Sequence, residues 1–375
     1  MRDDLGVGGV AREVHVLYAR WYEVLARGSF PRDDVTWQYP PGAGAVFLSP
    51  ALLPWLSYFE AFVALTLLAD AAVTLALARA GRTGAWLWTG GLPLLLHIPL
   101  ARYDVQVTAP AVLALLAVRH RRPRTAGVLA GLGAMVKVWP ALTLLGTPRG
   151  PATRAAWTSA AASAAALLAV LVLGFSHTLD FLRQQGGRGL QIESLGGTAL
   201  HLAGLTGRPV TVAYRYGAFE FVGPYVTGLA RLSLLLSAAA FCWLLFWRVR
   251  ARRWTTATPF DAALCAVLLF TVTSRVISPQ YLIWLLGLAA VCLTSRHTTQ
   301  RPVALLLLPA TALSSLAYPV LYEDVLAGTP LGCLLMVVRN ALLLAAALLS
   351  ARRLWTAAEA GRDGRRKPAG ARTTS

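Results

Sequence analysis

Nine apolar stretches recur along the chain, at about 55–79, 85–99, 103–118, 157–176, 224–247, 259–274, 280–294, 302–318 and 330–350, with short polar breaks between them. A helix rising 1.5 Å per residue needs about 20 apolar residues to cross the roughly 30 Å hydrocarbon core of a bilayer. Lipid offers backbone N–H and C=O groups no partner, so each crossing must bond internally as a helix. The expected fold class is an all-α polytopic membrane protein, a bundle of about nine spanning helices. Composition agrees, since 56% of the 375 residues are hydrophobic and only 14% are charged, which no ordinary soluble domain shows.

The net charge of +18 raises nucleic acid as a partner, but the distribution of the basic residues excludes it. They cluster between apolar runs, as RHRRPR at 119–124, RVRARR at 248–253, Arg352-Arg353 and GRRK in the tail. That is the positive-inside pattern of cytoplasmic loops. The four cysteines, Cys242, Cys265, Cys292 and Cys333, sit within apolar runs without paired spacing. They read as small core residues, neither a disulfide framework nor a metal set.

Placing the basic clusters in the cytoplasm puts residues 101–104, 177–223, 275–280 and 318–330 on the outer face. Residues 125–147 have basic flanks on both sides, RHRRPR and TPRGPATR (147–154), which a single crossing cannot satisfy. A re-entrant hairpin is expected, rising through AGLGAM to KVWP (137–140), where Pro140 stops the helix and Lys137 lies at membrane depth. Residues 42–54, too short to span and closed by Pro54, are expected as a half-helix dipping from the outer face. Parity places 1–41 outside as a first outer loop, so the chain is expected to lack one N-terminal membrane helix. The domain reading is a single membrane domain over 1–351, with 177–223 as a large outer loop and 352–375 as a disordered basic tail.

Ionisable residues in or beside a bilayer are costly and mark function. At the outer face they are Glu13, Glu23, Asp33 and Asp34 with Trp37, Gln38 and Tyr39; Arg102, Tyr103 and Asp104; Lys137; Arg188, Gln191 and Glu193; and Arg275 with Ser278–Tyr281. Other readings stand beside these: Trp37 and Tyr39 as interfacial aromatics, Asp104 as the partner of Arg102, Lys137 as a snorkelling side chain and Arg275 as loop charge. Asp70, mid-span, requires a partner on another helix. His97 and His201 read as structural, and no His, Cys and carboxylate cluster supports a metal.

Carboxylates and cations at the edge of a bilayer suit transfer of a sugar from a lipid phosphate to a hydroxyl. A carboxylate serves as general base, and Arg or Lys stabilises the departing phosphate. Candidate bases are Glu13, Asp33, Asp34 and Asp104, and candidate phosphate ligands are Lys137, Arg275, Arg102 and Arg188. Trp37, Gln38, Tyr39, Gln191, Glu193, Gln280 and Tyr281 are candidates for holding sugar faces and hydroxyls. Without a Gly-rich phosphate loop or a βαβ pattern, a soluble nucleotide sugar is not expected as donor.

The sequence resembles glycosyltransferase family 87 of the GT-C polytopic transferases, which includes mycobacterial polyprenyl-phosphate-mannose-dependent mannosyltransferases. The resemblance rests on the acidic residue ahead of HVLY (15–18), GSFP (28–31), WQYPPG (37–42), RYD (102–104), AGVLAGLGAMVKVWP (126–140), RGLQIES (188–194) and SPQYLIWL (278–285). It implies an inverting transferase with a GT-C-like bundle, no cofactor or metal, a polyprenyl-phosphate-linked sugar donor, and a lipid or glycan acceptor. It also implies an active site on the outer face of the cell membrane, donor-phosphate contacts by Lys137 and Arg275, and a first-loop catalytic acid. By position that acid is Glu13, where the better-known members carry aspartate. The Ala-, Arg- and Gly-rich composition points to an actinobacterial genome. Competing functions are a lipid-linked sugar transporter or flippase, which would want repeat symmetry and charges on both faces, and an inactive scaffold.

Overall fold

A computed structural model describes residues 10–185 and 189–359 of the protein. The helices are α1 Ala19–Ala26, α2 Ala43–Leu48, α3 Tyr58–Ala80, α4 Arg82–Gly91, α5 Asp104–Arg119, α6 Pro123–Val136 and α7 Pro151–Gly174. They continue as α8 Leu195–Leu205, α9 Pro224–Arg250, α10 Thr258–Thr273, α11 Tyr281–Leu293, α12 Arg301–Ser315, α13 Tyr322–Ala327 and α14 Pro330–Glu359.

Every expected span coincides with a helix, and the chain is an all-α polytopic membrane protein. Five segments are long and apolar enough to cross a membrane: α3, α7, α9, α12 with its continuation to Val320, and α14. The other four expected spans are shorter. Helix α4 ends where Pro93 enters a 3₁₀ turn, Leu92–Leu95; α5, α10 and α11 run 16, 16 and 13 residues. These last three are the most buried in the bundle, whereas only 17% of the most apolar stretch of α7 or of α9 is buried within the protein. Of the long helices, α7 and α9 face outward, where hydrocarbon thickness sets their length, α12 and α14 are half buried, and the short α5, α10 and α11 form the interior.

Local chemistry places the element ends. Ser57 caps α3 in a reciprocal capping box with Glu60, and Pro occupies the first turn of α6, α7 and α9, where a missing N–H removes no helical bond. Asp70 finds its partner on the neighbouring helix, accepting from Trp88 Nε1 at 2.6 Å.

The segment expected as a re-entrant hairpin is helix α6, an extended Lys137 (φ −145°, ψ 139°), and a 3₁₀ return over Trp139–Leu144. Its small residues allow backbone contact with α7. A Cβ on Gly127 or Gly131 would lie 2.1 and 2.3 Å from the carbonyl oxygens of Ala156 and Ala160. Both flanks reach the same end of the molecule as RVRARR: Arg149 donates to the carbonyls of Arg248 and Val249, Trp254 to Gly146, and Arg248 to Leu145 and Thr147. Arg119 donates to Thr294 and Arg353 to Thr299 at that end. The short helix α2 continues as a 3₁₀ turn to Leu52 and abuts the hairpin tip, where Gly42 leaves no room for a Cβ against the Met135 backbone.

Two regions differ from the expected outline. The 177–223 segment carries a three-stranded antiparallel sheet, β1 Leu190–Gln191, β2 Thr211–Arg215 and β3 Ala218–Val222, in the order β1-β3-β2. The last helix runs on to Glu359, eight residues into the expected basic tail. The remainder of that tail, like residues 1–9 of the first loop, lies outside the described residues.

Candidate active site

At the end of the bundle opposite the arginine clusters, two ion pairs meet against one aromatic wall. Glu13 lies on a single π-helical turn, Glu13–Tyr18, that leads into α1. Its Oε2 is 2.7 Å from Nη2 of Arg102, whose side chain is 8% exposed. That guanidinium also donates to the carbonyls of Val10 and Ala101 and, at 3.4 Å, to the Tyr318 hydroxyl.

Two residues on, Asp104 opens α5 with a side chain 1% exposed, and its Oδ1 lies 2.5 Å from Nζ of Lys137. Trp284 of α11 donates its indole N–H to the same oxygen at 2.6 Å. The Lys137 ammonium sits 4.3 Å from the ring centre of Tyr103, 5.0 Å from that of Trp284 and 5.9 Å from that of Tyr39. The rings turn their negative faces to the cation. Tyr281 stacks on Trp284 at 4.0 Å and Trp139 on its other side at 5.2 Å. Three polar atoms in this cluster, Asp104 Oδ2 and the hydroxyls of Tyr18 and Tyr103, are buried with no protein partner.

The pairing corrects one reading from sequence. Arg102 and Asp104, two apart, do not bond each other; each takes a partner distant in the chain, because Tyr103 between them turns their side chains to different neighbours. Lys137 is 12% exposed and bonded to a carboxylate, so it does not snorkel.

The first-loop candidates separate. Asp34 is committed to its own turn, accepting from Arg20, Trp21 and Thr36. Burial opposes its charge, but those hydrogen bonds and Arg20 hold its carboxyl below the usual range. Asp33, in the left-handed region at φ 55°, lines a solvent-open cleft of about 300 Å³ with Arg32, His177, Asp180 and Arg183. Both are thereby removed from the ion-pair cluster. Trp37 is only 2% exposed and packs edge-on against Trp21 and Phe30, so it is a core residue here and does not lie at the surface as an interfacial aromatic would. Gln38 donates to the Val35 carbonyl. Tyr39 keeps an edge on Tyr103 at 5.3 Å and belongs to the wall.

A second buried polar network adjoins the first through Tyr318. Arg339, in the middle of α14 and fully buried, donates to Ser314 Oγ and to the carbonyls of Glu193 and Ile277. Asn340 donates to the Glu193 and Ser194 carbonyls and to Thr198. Gln191 donates to Glu193 Oε2 and accepts from the Ile277 amide, while its own amide donates to the Arg275 carbonyl. Burial pushes the Glu193 carboxyl up to about 7, against the pull of Arg339 3.6 Å away. Arg275 and Gln280 lie half-buried on the same 274–280 segment, and Arg188 lies outside the described residues. Among the described residues, no three of His, Cys, Asp and Glu converge as a metal site would require.

Trp284, Arg339, Asn340 and Tyr318 were not singled out from sequence. The signal for Arg339 was present, since the cost that marks a charge mid-span applies to it as to Asp70.

Against known proteins, the sequence model of glycosyltransferase family 87 matches residues 37–279. Curated proteins and solved structures give no match.

Proposed function

The chain belongs to glycosyltransferase family 87 and is a membrane glycosyltransferase; from that premise we propose that it moves a hexose, mannose in the first instance, from a polyprenyl-phosphate donor to a hydroxyl of a lipid or glycan acceptor. The observation that carries this reading is the meeting of the Glu13–Arg102 and Asp104–Lys137 pairs against the Tyr39 and Tyr103 rings. Buried charge is retained at such expense where a charged substrate is handled.

In the proposed step, Glu13 takes the proton of the acceptor hydroxyl as its oxygen bonds to the anomeric carbon. The bond from that carbon to the phosphate oxygen breaks with its electrons on the oxygen, and the single displacement inverts the centre. The leaving phosphate gains negative charge, which Lys137 stabilises with the two N–H donors that Asp104 leaves unused. Arg102 orients Glu13, and Arg275 adds positive charge from the 274–280 segment. Asp104 Oδ2 and the Tyr18 and Tyr103 hydroxyls are the groups that substrate hydroxyls would satisfy, since buried polar atoms are ordinarily paired. The arginine clusters at the opposite end, read by the positive-inside rule, support an outer-face site.

The test is transfer by the purified protein in liposomes, with radiolabelled polyprenyl-phosphate mannose and a membrane-lipid extract. Label passing into a new glycolipid is expected. Movement of intact donor across the bilayer without a new bond, or no transfer from any polyprenyl-phosphate hexose, overturns the reading.

A further inference from the structure

At the basic end, away from the ion pairs, a cavity of about 720 Å³ opens between the α5–α6 turn and the start of α7. Its apolar lining comes from Val118, Pro123, Pro148, Pro151, Ala152 and Ala155, and its charge from Arg121, Arg122 and Arg124. Four other arginines at this end are engaged: Arg119 with Thr294, Arg149 with the carbonyls of Arg248 and Val249, Arg248 with those of Leu145 and Thr147, and Arg353 with Thr299. Arg121, Arg122 and Arg124 form no side-chain hydrogen bond or ion pair with any described residue.

Three guanidinium groups around an apolar recess, without a carboxylate to balance them, describe one chemistry. Arg presents a planar fork that matches phosphate oxygens, and the recess suits a hydrocarbon chain. Helices α6 and α7 both begin at this cavity with no side-chain cap, adding unsatisfied N–H groups and the positive ends of two helices. The outer side of α7 is among the least protein-covered apolar surfaces of the bundle, so an acyl chain entering the recess continues along a lipid-facing helix.

We infer that this cavity is a binding site for an anionic phospholipid, its phosphate held by Arg121, Arg122 and Arg124 and one acyl chain seated against Pro148, Pro151, Ala152 and Ala155. The site is separate from the proposed sugar-transfer centre and does not depend on it. An occupant here holds the base of the hairpin formed by α6 and the 3₁₀ return Trp139–Leu144, whose far tip carries Lys137.

The test uses full-length protein purified in mild detergent, with native mass spectrometry reading bound phosphatidylglycerol in competition with phosphatidylcholine. Wild type is expected to retain phosphatidylglycerol selectively. The triple variant Arg121→Gln, Arg122→Gln, Arg124→Gln should lose that preference, by about fivefold for each arginine removed. An equal charge loss at the same end, Arg252→Gln, Arg253→Gln, Arg296→Gln, should leave it intact. Ala152→Phe, which fills the recess and keeps all three charges, should weaken retention and confirm that a chain occupies it. Equal loss in both triple variants would show a diffuse surface potential and overturn the site. Complete displacement of the lipid by millimolar inorganic phosphate would show a free-anion site and overturn the lipid assignment.

Discussion

The two ends of the bundle handle positive charge in opposite ways. At the loop-rich end each central cation faces a carboxylate, Arg102 to Glu13 and Lys137 to Asp104, with aromatic rings alongside. At the basic end Arg119, Arg149, Arg248 and Arg353 face backbone carbonyls or, like Arg121 and Arg122, no described partner. A carbonyl-bonded arginine at a helix end stabilises the local turn and fixes orientation in the membrane. A buried ion pair costs several kcal/mol in desolvation for each charge, which is repaid only if the charges are needed there. On the proposed function, chemistry falls to the first end and anchoring to the second.

Substitutions can break that contrast. The largest effect is expected from Glu13→Gln, which keeps shape and removes the base; turnover should fall by about 10²–10⁴-fold with folding unchanged, and wild-type turnover would return the role to Asp104. Lys137→Met should lower kcat/KM by about 10²–10³-fold, with a cost in melting temperature because Asp104 keeps only Trp284. Unchanged kinetics would make Lys137 a structural partner of Asp104.

Glu193→Gln sharpens the comparison through pH. A carboxyl raised to about 7 stays protonated in the folded state while the unfolded chain has ionised. Stability should therefore fall as pH rises from the ordinary glutamate value through about 7, by at most about 3 kcal/mol. The Gln variant should flatten that slope and melt higher than wild type at pH 8, as read by thermal denaturation across pH. The smallest effect is expected for Asp33→Asn, since its exposed ion pair with Arg32 contributes about 0–1 kcal/mol. Its turnover should stay within twofold of wild type, and a large loss would relocate acceptor binding to the cleft with His177 and Asp180.

The membrane architecture was readable because apolar runs and basic flanks act locally: length gives the crossing, and flanking charge gives the hairpin at 125–147. Lys137 and the RYD segment emerged by the same logic, from the cost of charge at depth. The partners did not. Which carboxylate reaches which cation depends on side chains more than 30 residues apart in sequence, so Arg102 and Asp104 looked like a pair and are not. Trp37 was a candidate for holding sugar, with an interfacial aromatic as the alternative, and sequence cannot show that Trp21, Phe30 and Phe47 close over it. The strands at 211–222 had an alternating pattern and a Tyr216-Gly217 turn with both residues at positive φ, a hairpin signature hidden inside a segment read as loop.

In the proposed reaction Glu13 performs the proton transfer while the lysine-bearing tip holds the donor. Donor binding by wild type, Glu13→Gln and Lys137→Met, read by retention of labelled polyprenyl-phosphate mannose, followed by rapid-quench measurement of a single turnover after acceptor is added, tests it. Glu13→Gln is expected to bind donor as wild type does and to transfer no label on the wild-type timescale, whereas Lys137→Met fails at donor binding. Transfer by Glu13→Gln at the wild-type rate would contradict it.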